Sequence, residues 1–254
     1  RGAMSRRLAV LLLPAAVLSF MPSLVGAQTD VTAAPRKYDK LLTAVESFAK
    51  LNAQIEIRER EYTLLTPFLQ DVSDYSIQLR NVCDSKCNKT VNKYNLKLKT
   101  LNDALFESHR RYQALSPNIT ERNAALMSEI KRVEFLQDPL SKDKAMAALN
   151  KINLENVYHY KAYNKTYHSA DSAMLSLASS SDITSIVHSF ASSTDRLVAM
   201  GNARPSVNTT VLNLKNKVPD IRARLKALED KRKSLVCTAT LASDYSISVR
   251  CLPN

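Results

Sequence analysis

The chain has 254 residues, with 36 lysines and arginines against 24 acids, a formal charge of +12 and only 3 glycines. Ordinary usage would give about 18 glycines, and Gly2 and Gly26 lie in the N-terminal stretch, which leaves Gly201 alone in the body. Phosphate-cradling loops, dinucleotide-binding turns and nucleophile elbows need glycine where backbone approaches a ligand or takes a positive φ. The composition excludes them and disfavours a sheet-rich fold with many tight hairpins.

Met4 to Ala27 has the pattern of a secretory signal peptide. Arg6 and Arg7 form its positive start, Leu8 to Val25 is almost wholly apolar, and Val25-Gly26-Ala27 offers small residues for cleavage before Gln28. Arg1-Gly2-Ala3 ahead of it reads as a scar. A membrane anchor is the alternative, since about 18 apolar residues can span a bilayer, but Pro14, Pro22 and the small-residue end suit cleavage better. No second hydrophobic stretch follows, and the end of the chain has no lipid-anchor pattern. The expected product is exported: secreted or at the cell surface, or periplasmic in a bacterium.

Helical periodicity dominates the body of the chain. Tyr38, Leu41, Val45, Phe48, Asn52, Ile55, Tyr62, Leu65, Leu69, Val72, Tyr75, Leu79 and Val82 mark one face of a first long helix. Its seam is interrupted around Arg58 to Glu61, and Pro67 should kink it. After a turn at Cys83–Cys87, the run Val91, Tyr94, Leu98, Leu101, Leu105, Ser108, Tyr112, Leu115 keeps heptad spacing. Ser116-Pro117-Asn118 is then expected to end one helix and start another, with Asn118 and Glu121 as a capping box. That third helix reaches about Gln137, and Asp138-Pro139 makes a turn.

A fourth helix is expected over 141–178, with Leu149, Ile152, Tyr163, Tyr167, Ala170, Met174 and Leu177 as its seam. Asp182 suits the N-cap of a shorter fifth helix ending at Gly201. The sixth carries Val207, Val211, Leu214, Val218, Ile221, Leu225, Leu228 and Leu235, with Pro219 as a bend. From Cys237 the pattern alternates, as in a small hairpin. Ser243-Asp244-Tyr245-Ser246-Ile247 repeats Ser73-Asp74-Tyr75-Ser76-Ile77, but flanking residues do not extend the match into a duplication. The fold expected is all-α: an elongated antiparallel helical bundle of three or four long rods in six helical segments, with a disulfide-clamped C-terminal hairpin or loop. Its parts are the signal peptide within 1–27, the bundle over 28–236 and the closed segment over 237–254.

Four cysteines in an exported chain imply two disulfides. Pairing Cys83 with Cys87 and Cys237 with Cys251 is the simplest of three connectivities, and the rival is long-range pairing that staples the C-terminal segment to the helix junction near Cys83. Sequons stand at Asn88, Asn118, Asn164 and Asn208, which are glycosylation sites if the source is eukaryotic.

Candidates for chemistry are few. No E-x-x-H, HExxH or G-x-S-x-G occurs, and Glu155 with His159 is the nearest approach to a metal pair. No catalytic residue, metal or other cofactor is expected. Tyr158 and Tyr160 lie off the core seam and form a candidate aromatic contact patch. The last helix is basic: Lys215, Lys217, Arg222, Arg224, Lys226, Lys231, Arg232 and Lys233 form a candidate patch for an anionic partner, interrupted by Asp220, Glu229 and Asp230. An extracellular protein or anionic glycan suits it, a membrane surface is a further candidate, and no nucleic-acid partner is expected, since nucleic acid is a poor partner for an exported chain.

In its signal peptide, long rods and sparse cysteines the chain resembles the helical-bundle surface glycoproteins and host-protein receptors of kinetoplastid parasites. No residue motif matches theirs, so the resemblance carries architecture and no site residues. The function expected is a non-enzymatic exported protein that binds a macromolecular partner as a surface antigen, receptor or adhesin. Its rivals are a membrane-active amphipathic protein, either a lipid binder or a helical pore former, and a periplasmic chaperone-like coiled coil.

Overall fold

A computed structural model of the chain describes residues 28–29, 38, 43–177, 180–200 and 205–252. The signal-peptide stretch, Leu41, Ser179 and Gly201 lie outside them. Among the described residues the elements are β1 (Gln28–Thr29), α1 (Thr43–Val82), α2 (Ser85–Phe135), α3 (Pro139–Leu177), α4 (Ser180–Met200), α5 (Pro205–Lys233), β2 (Val236–Leu241) and β3 (Ile247–Leu252). The fold is predominantly helical, with an antiparallel two-stranded hairpin that carries a disulfide near the C-terminus.

The helix α1 is the hub. It touches each of the other four helices and the three strands. Its expected seam is buried: Val45, Phe48, Leu65, Leu69 and Leu79 are each no more than 1% exposed. A second face is buried as well, because Ala49, Ala53 and Ile57 recur at helical spacing and meet Cys237, Ala239 and Cys251 of the hairpin. The small alanines let a sheet lie directly on the helix. Its hydrophobic pattern is therefore broader than a one-sided stripe.

Both α1 and α2 serve two separate core regions. Toward the α1 N-terminus, Phe48, Leu51 and Ile55 pack with Tyr112, Leu115 and Ile119 of α2 and Tyr167 and Ala170 of α3. Leu126, Ile130 and Val133 of α2, Ala145 and Leu149 of α3, and Leu241 and Tyr245 of the hairpin extend this half. Toward the α1 C-terminus, Leu65 to Leu79 pack instead with the first half of α2 and with Ile183 to Leu197 of α4 and Val211 to Leu228 of α5. Each large side chain so enclosed contributes roughly 1.5–3 kcal/mol. The division falls at Arg58–Glu61, where the sequence breaks the apolar seam.

Among the described residues there are five helices rather than six, because α2 runs without interruption through Pro117. The expected break between Ser116 and Asn118 is absent, and the reason is packing. Tyr112, Leu115, Ile119, Leu126, Ile130 and Val133 are all buried, so the 3-4 spacing passes through the proline in phase. Burial along that stripe outweighs the roughly 3 kcal/mol that an interior proline costs. Asn118 caps nothing there; its side-chain amide donates to the Ala114 carbonyl at 2.7 Å. Pro67 and Pro219 likewise lie inside α1 and α5 without ending them. By contrast Pro139 begins α3, where its missing N–H is harmless. Asp138 just before it accepts from the Ser141 N–H at 2.8 Å. Asp182 lies in the first turn of α4, which starts at Ser180, so it is not the N-cap that the sequence suggests.

Both local disulfides are formed, Cys83–Cys87 and Cys237–Cys251. The first joins the short α1–α2 link to the opening turn of α2. Asp84 in that link caps α2 by accepting from the Cys87 N–H at 2.7 Å. It also receives a bidentate pair of bonds from Arg196 of α4, at 2.7 and 3.1 Å. The Arg196 bonds first, and then the Cys87 N–H, hold the Asp84 carboxyl below its usual range. In the hairpin β2 pairs antiparallel with β3, Cys237 opposite Cys251. A feature not foreseen from sequence is β1, which adds a parallel edge to β2 with Gln28 opposite Thr238.

Candidate functional site

The basic residues of the last helix do not form one surface. On α5, Val211, Leu214, Val218, Leu225 and Leu228 are buried, and the cations fall on both flanks of that face. One flank holds Lys217, Arg224 and Lys231 and leans on α1. Lys217 donates to Gln78 at 3.3 Å. Arg224 pairs with Asp71 and lies over the Phe68 ring, 6.0 Å from its centre. The other flank holds Lys215, Arg222, Lys226 and Lys233, all exposed. None of these four makes an ion pair among the described residues.

That second flank borders a groove of about 250 Å³ between α4 and α5. Thr184, Val187 and His188 form one wall; Arg222, Leu225, Lys226 and Glu229 form the other. Val187 and Leu225 are nearly buried and make an apolar floor. Thr184 donates to Glu229 at 3.4 Å across the groove. A second groove of about 220 Å³ lies on the α1 side, between Leu64, Pro67 and Phe68 and Arg224, Leu228 and Lys231.

The remaining member of the basic set, Arg232, is drawn inward. It lies 3.6 Å from Glu61 in an ion pair too long for a hydrogen bond. Glu61 accepts from Arg58 at 2.9 Å, and Arg58 also pairs with Asp171 of α3. Two guanidinium groups and two carboxylates thus form a charge-balanced layer. Glu61 and Asp171 are only 6% and 7% exposed. Tyr112 and Tyr167 flank it with ring centres 5.6 Å apart, and the Tyr112 hydroxyl points at Asp171 from 3.5 Å. Burial first, then the neighbouring carboxylate, pushes the Tyr112 phenol well above its ordinary range. Burial likewise raises Tyr167, to about 12. This layer separates the two core regions and anchors the C-terminal end of α5. One turn away, Tyr62 stacks on His109 at 4.0 Å, and His109 Nδ1 lies 3.0 Å from Glu59. Loss of hydration raises the Glu59 carboxyl, against the lowering effect of His109.

The aromatic pair is also split. Tyr158 is 73% exposed, beside Leu154 at 68%. Tyr160 is half-buried, its ring edge-on to Phe48 at 5.8 Å, and belongs to the core rather than to a contact surface. Among the sequons, Asn88 lies in the first turn of α2, Asn118 and Asn164 lie within helices, and Asn208 lies in the first turn of α5. Asn118 was expected near a helix end and is mid-helix because α2 is continuous. Among the described residues, no three His, Cys, Asp or Glu side chains gather as metal ligands, and no helix is long and apolar enough to cross a membrane.

The charged layer was visible in sequence only as a gap in the α1 seam. Asp171 and Arg232 carry no local signal, because their partners lie on other helices. The split of α5 into two flanks was implicit in the numbering: Lys215, Arg222, Lys226 and Lys233 share one side of a 3.6-residue helix, and Lys217, Arg224 and Lys231 the other.

Fold and surface together define a helical protein with a clamped hairpin and a last helix whose α4-side flank carries four exposed cations with no ion pair among the described residues. Compared with known proteins, the chain matches no family model, no curated sequence and no solved structure.

Proposed function

We propose that this chain is an exported, non-enzymatic helical-bundle protein that binds an anionic macromolecular partner, in the manner of a surface antigen, receptor or adhesin. The observation that carries this reading is the row Lys215, Arg222, Lys226 and Lys233, four exposed cations with no ion pair among the described residues. Their neighbours Arg224 and Arg232 are neutralised by acids of α1, and cations left unpaired in line attract an opposite charge from outside. The two disulfides are compatible with an extracellular location, and in a eukaryotic source the sequons make it a glycoprotein. Contacts between neighbouring helices run in opposite numerical order, as in Glu59–His109 against Ser76–Asn95. Asp71–Arg224 against Gln78–Lys217 repeats that order on α5. These pairings support the elongated antiparallel bundle.

The test is a pull-down from extracellular fluid of the source or host, comparing the native chain with K215E/R222E/K226E/K233E. A partner retained by the native chain and lost by the variant is the expected result. Equal capture by both, or no capture by either, refutes the assignment to this flank.

A further inference from the structure

We infer that the α4–α5 groove with its row of cations is a docking track for a linear sulfated polysaccharide. The inference rests on the partner-binding reading above and names the chemistry of the partner.

Spacing comes first. Lys215, Arg222, Lys226 and Lys233 are separated by seven, four and seven residues, about five full turns of helix, so the row stays nearly straight along α5. At about 1.5 Å per residue it extends roughly 27 Å. A free phosphate or a single lipid headgroup meets one or two of these cations. A linear polyanion meets all four at once.

The shape of the groove agrees. The row is one cation wide and walled on one side by α4, where Thr184 and His188 face Arg222 and Lys226 across about 250 Å³. A chain one sugar wide fits such a trough, whereas the convex surface of a folded acidic protein does not enter it. Arg222 offers the planar fork that grips a sulfate through two bonds, and His188 carries a polar ring on the facing wall, where the Thr184 hydroxyl is taken up by Glu229. Val187 and Leu225 give the floor an apolar surface for sugar C–H groups. Glu229 lies on the same side between Lys226 and Lys233 and repels anions there. The track therefore favours sulfates spaced along the chain over an unbroken run. On the α1-side flank Asp71 and Gln78 already occupy Arg224 and Lys217, which leaves Lys231 as a single cation beside the second groove rather than a row.

The probe is immobilised heparin at the physiological 0.15 M salt, with the native chain, R222Q/K226Q, and K217Q/K231Q as a control of equal net charge. All four substituted residues are exposed, and circular dichroism and gel filtration confirm that the variants fold. The native chain and K217Q/K231Q should elute together above that salt, and R222Q/K226Q earlier. The slope of log affinity against log salt should fall by about 0.7–0.9 per cation removed, as for other linear polyanions. O-desulfated heparin should not retain the native chain. Equal shifts of the two variants, or equal retention on desulfated heparin, overturn the site. Absence of retention overturns the glycan, and the pull-down then separates two cases. A protein partner lost with the row variant leaves the partner-binding reading standing, whereas no partner at all removes both.

Discussion

Arg58, Glu61, Asp171 and Arg232 bring four charges to one level of the interior, where an isolated ion would cost several kcal/mol. Pairing two cations with two anions removes most of that cost, and the flanking Tyr112 and Tyr167 exclude water. The same exclusion predicts an alkaline transition. Both phenols are raised in the folded state, Tyr167 to about 12, whereas in the unfolded chain they ionise near 10. Folding therefore favours their protonated form. Their contribution is complete below pH 10 and is lost as pH rises from 10 toward 12. For Tyr167 it amounts to roughly 3 kcal/mol. Urea midpoints should fall between pH 10 and 12, and Tyr167→Phe should flatten that fall. Absorbance at the phenolate band should show Tyr75, Tyr112 and Tyr167 ionising above the ordinary phenol range. A midpoint unchanged over that range would contradict the buried placement of the layer. At this scale the sequence was least legible: a gap in a seam shows that something polar intervenes, not which distant residues complete it.

At the scale of elements, the prolines separate local preference from packing. Pro117 lies within α2 and Pro139 at the start of α3, yet both follow residues that suit a turn. What distinguishes them is phase: the heptad runs through Pro117 unbroken and slips at Pro139. Pro117→Ala should restore a backbone hydrogen bond and raise the free energy of unfolding, read from urea titration, by about 1–3 kcal/mol. Pro139→Ala, at a helix start, should change it by far less. A destabilised Pro117→Ala protein would mean that the helix is bent there to fit its neighbours. The hairpin shows packing acting on backbone shape. Tyr245 takes a φ of 64°, unusual outside glycine, and is held there because its ring is buried against Tyr38 and its carbonyl accepts from Asn123 at 3.0 Å.

For the molecule as a whole, α2 sets a length. Fifty-one residues of helix extend about 76 Å if straight, whereas a compact globule of 254 residues has a radius of gyration of about 18 Å. Small-angle scattering should give a maximum dimension of at least about 75 Å, and a compact profile would rule out the rod. The alternation of apolar residues at three and four positions determined that the chain is helical and where most of its helical stretches lie, because each depends on neighbours within a few turns; it left the continuity of α2 and the pairing of the cysteines to the fold. Tertiary structure decided the rest. The pentapeptide Ser-Asp-Tyr-Ser-Ile is helix at 73–77 and a turn entering a strand at 243–247. One copy packs its tyrosine against α4 and the other against Tyr38 and α2, so the repeat is no sign of duplicated structure. Which cations are spent on internal acids and which face outward was settled in the same way, since a charge is neutralised by whatever the fold brings beside it and not by its neighbours in the chain.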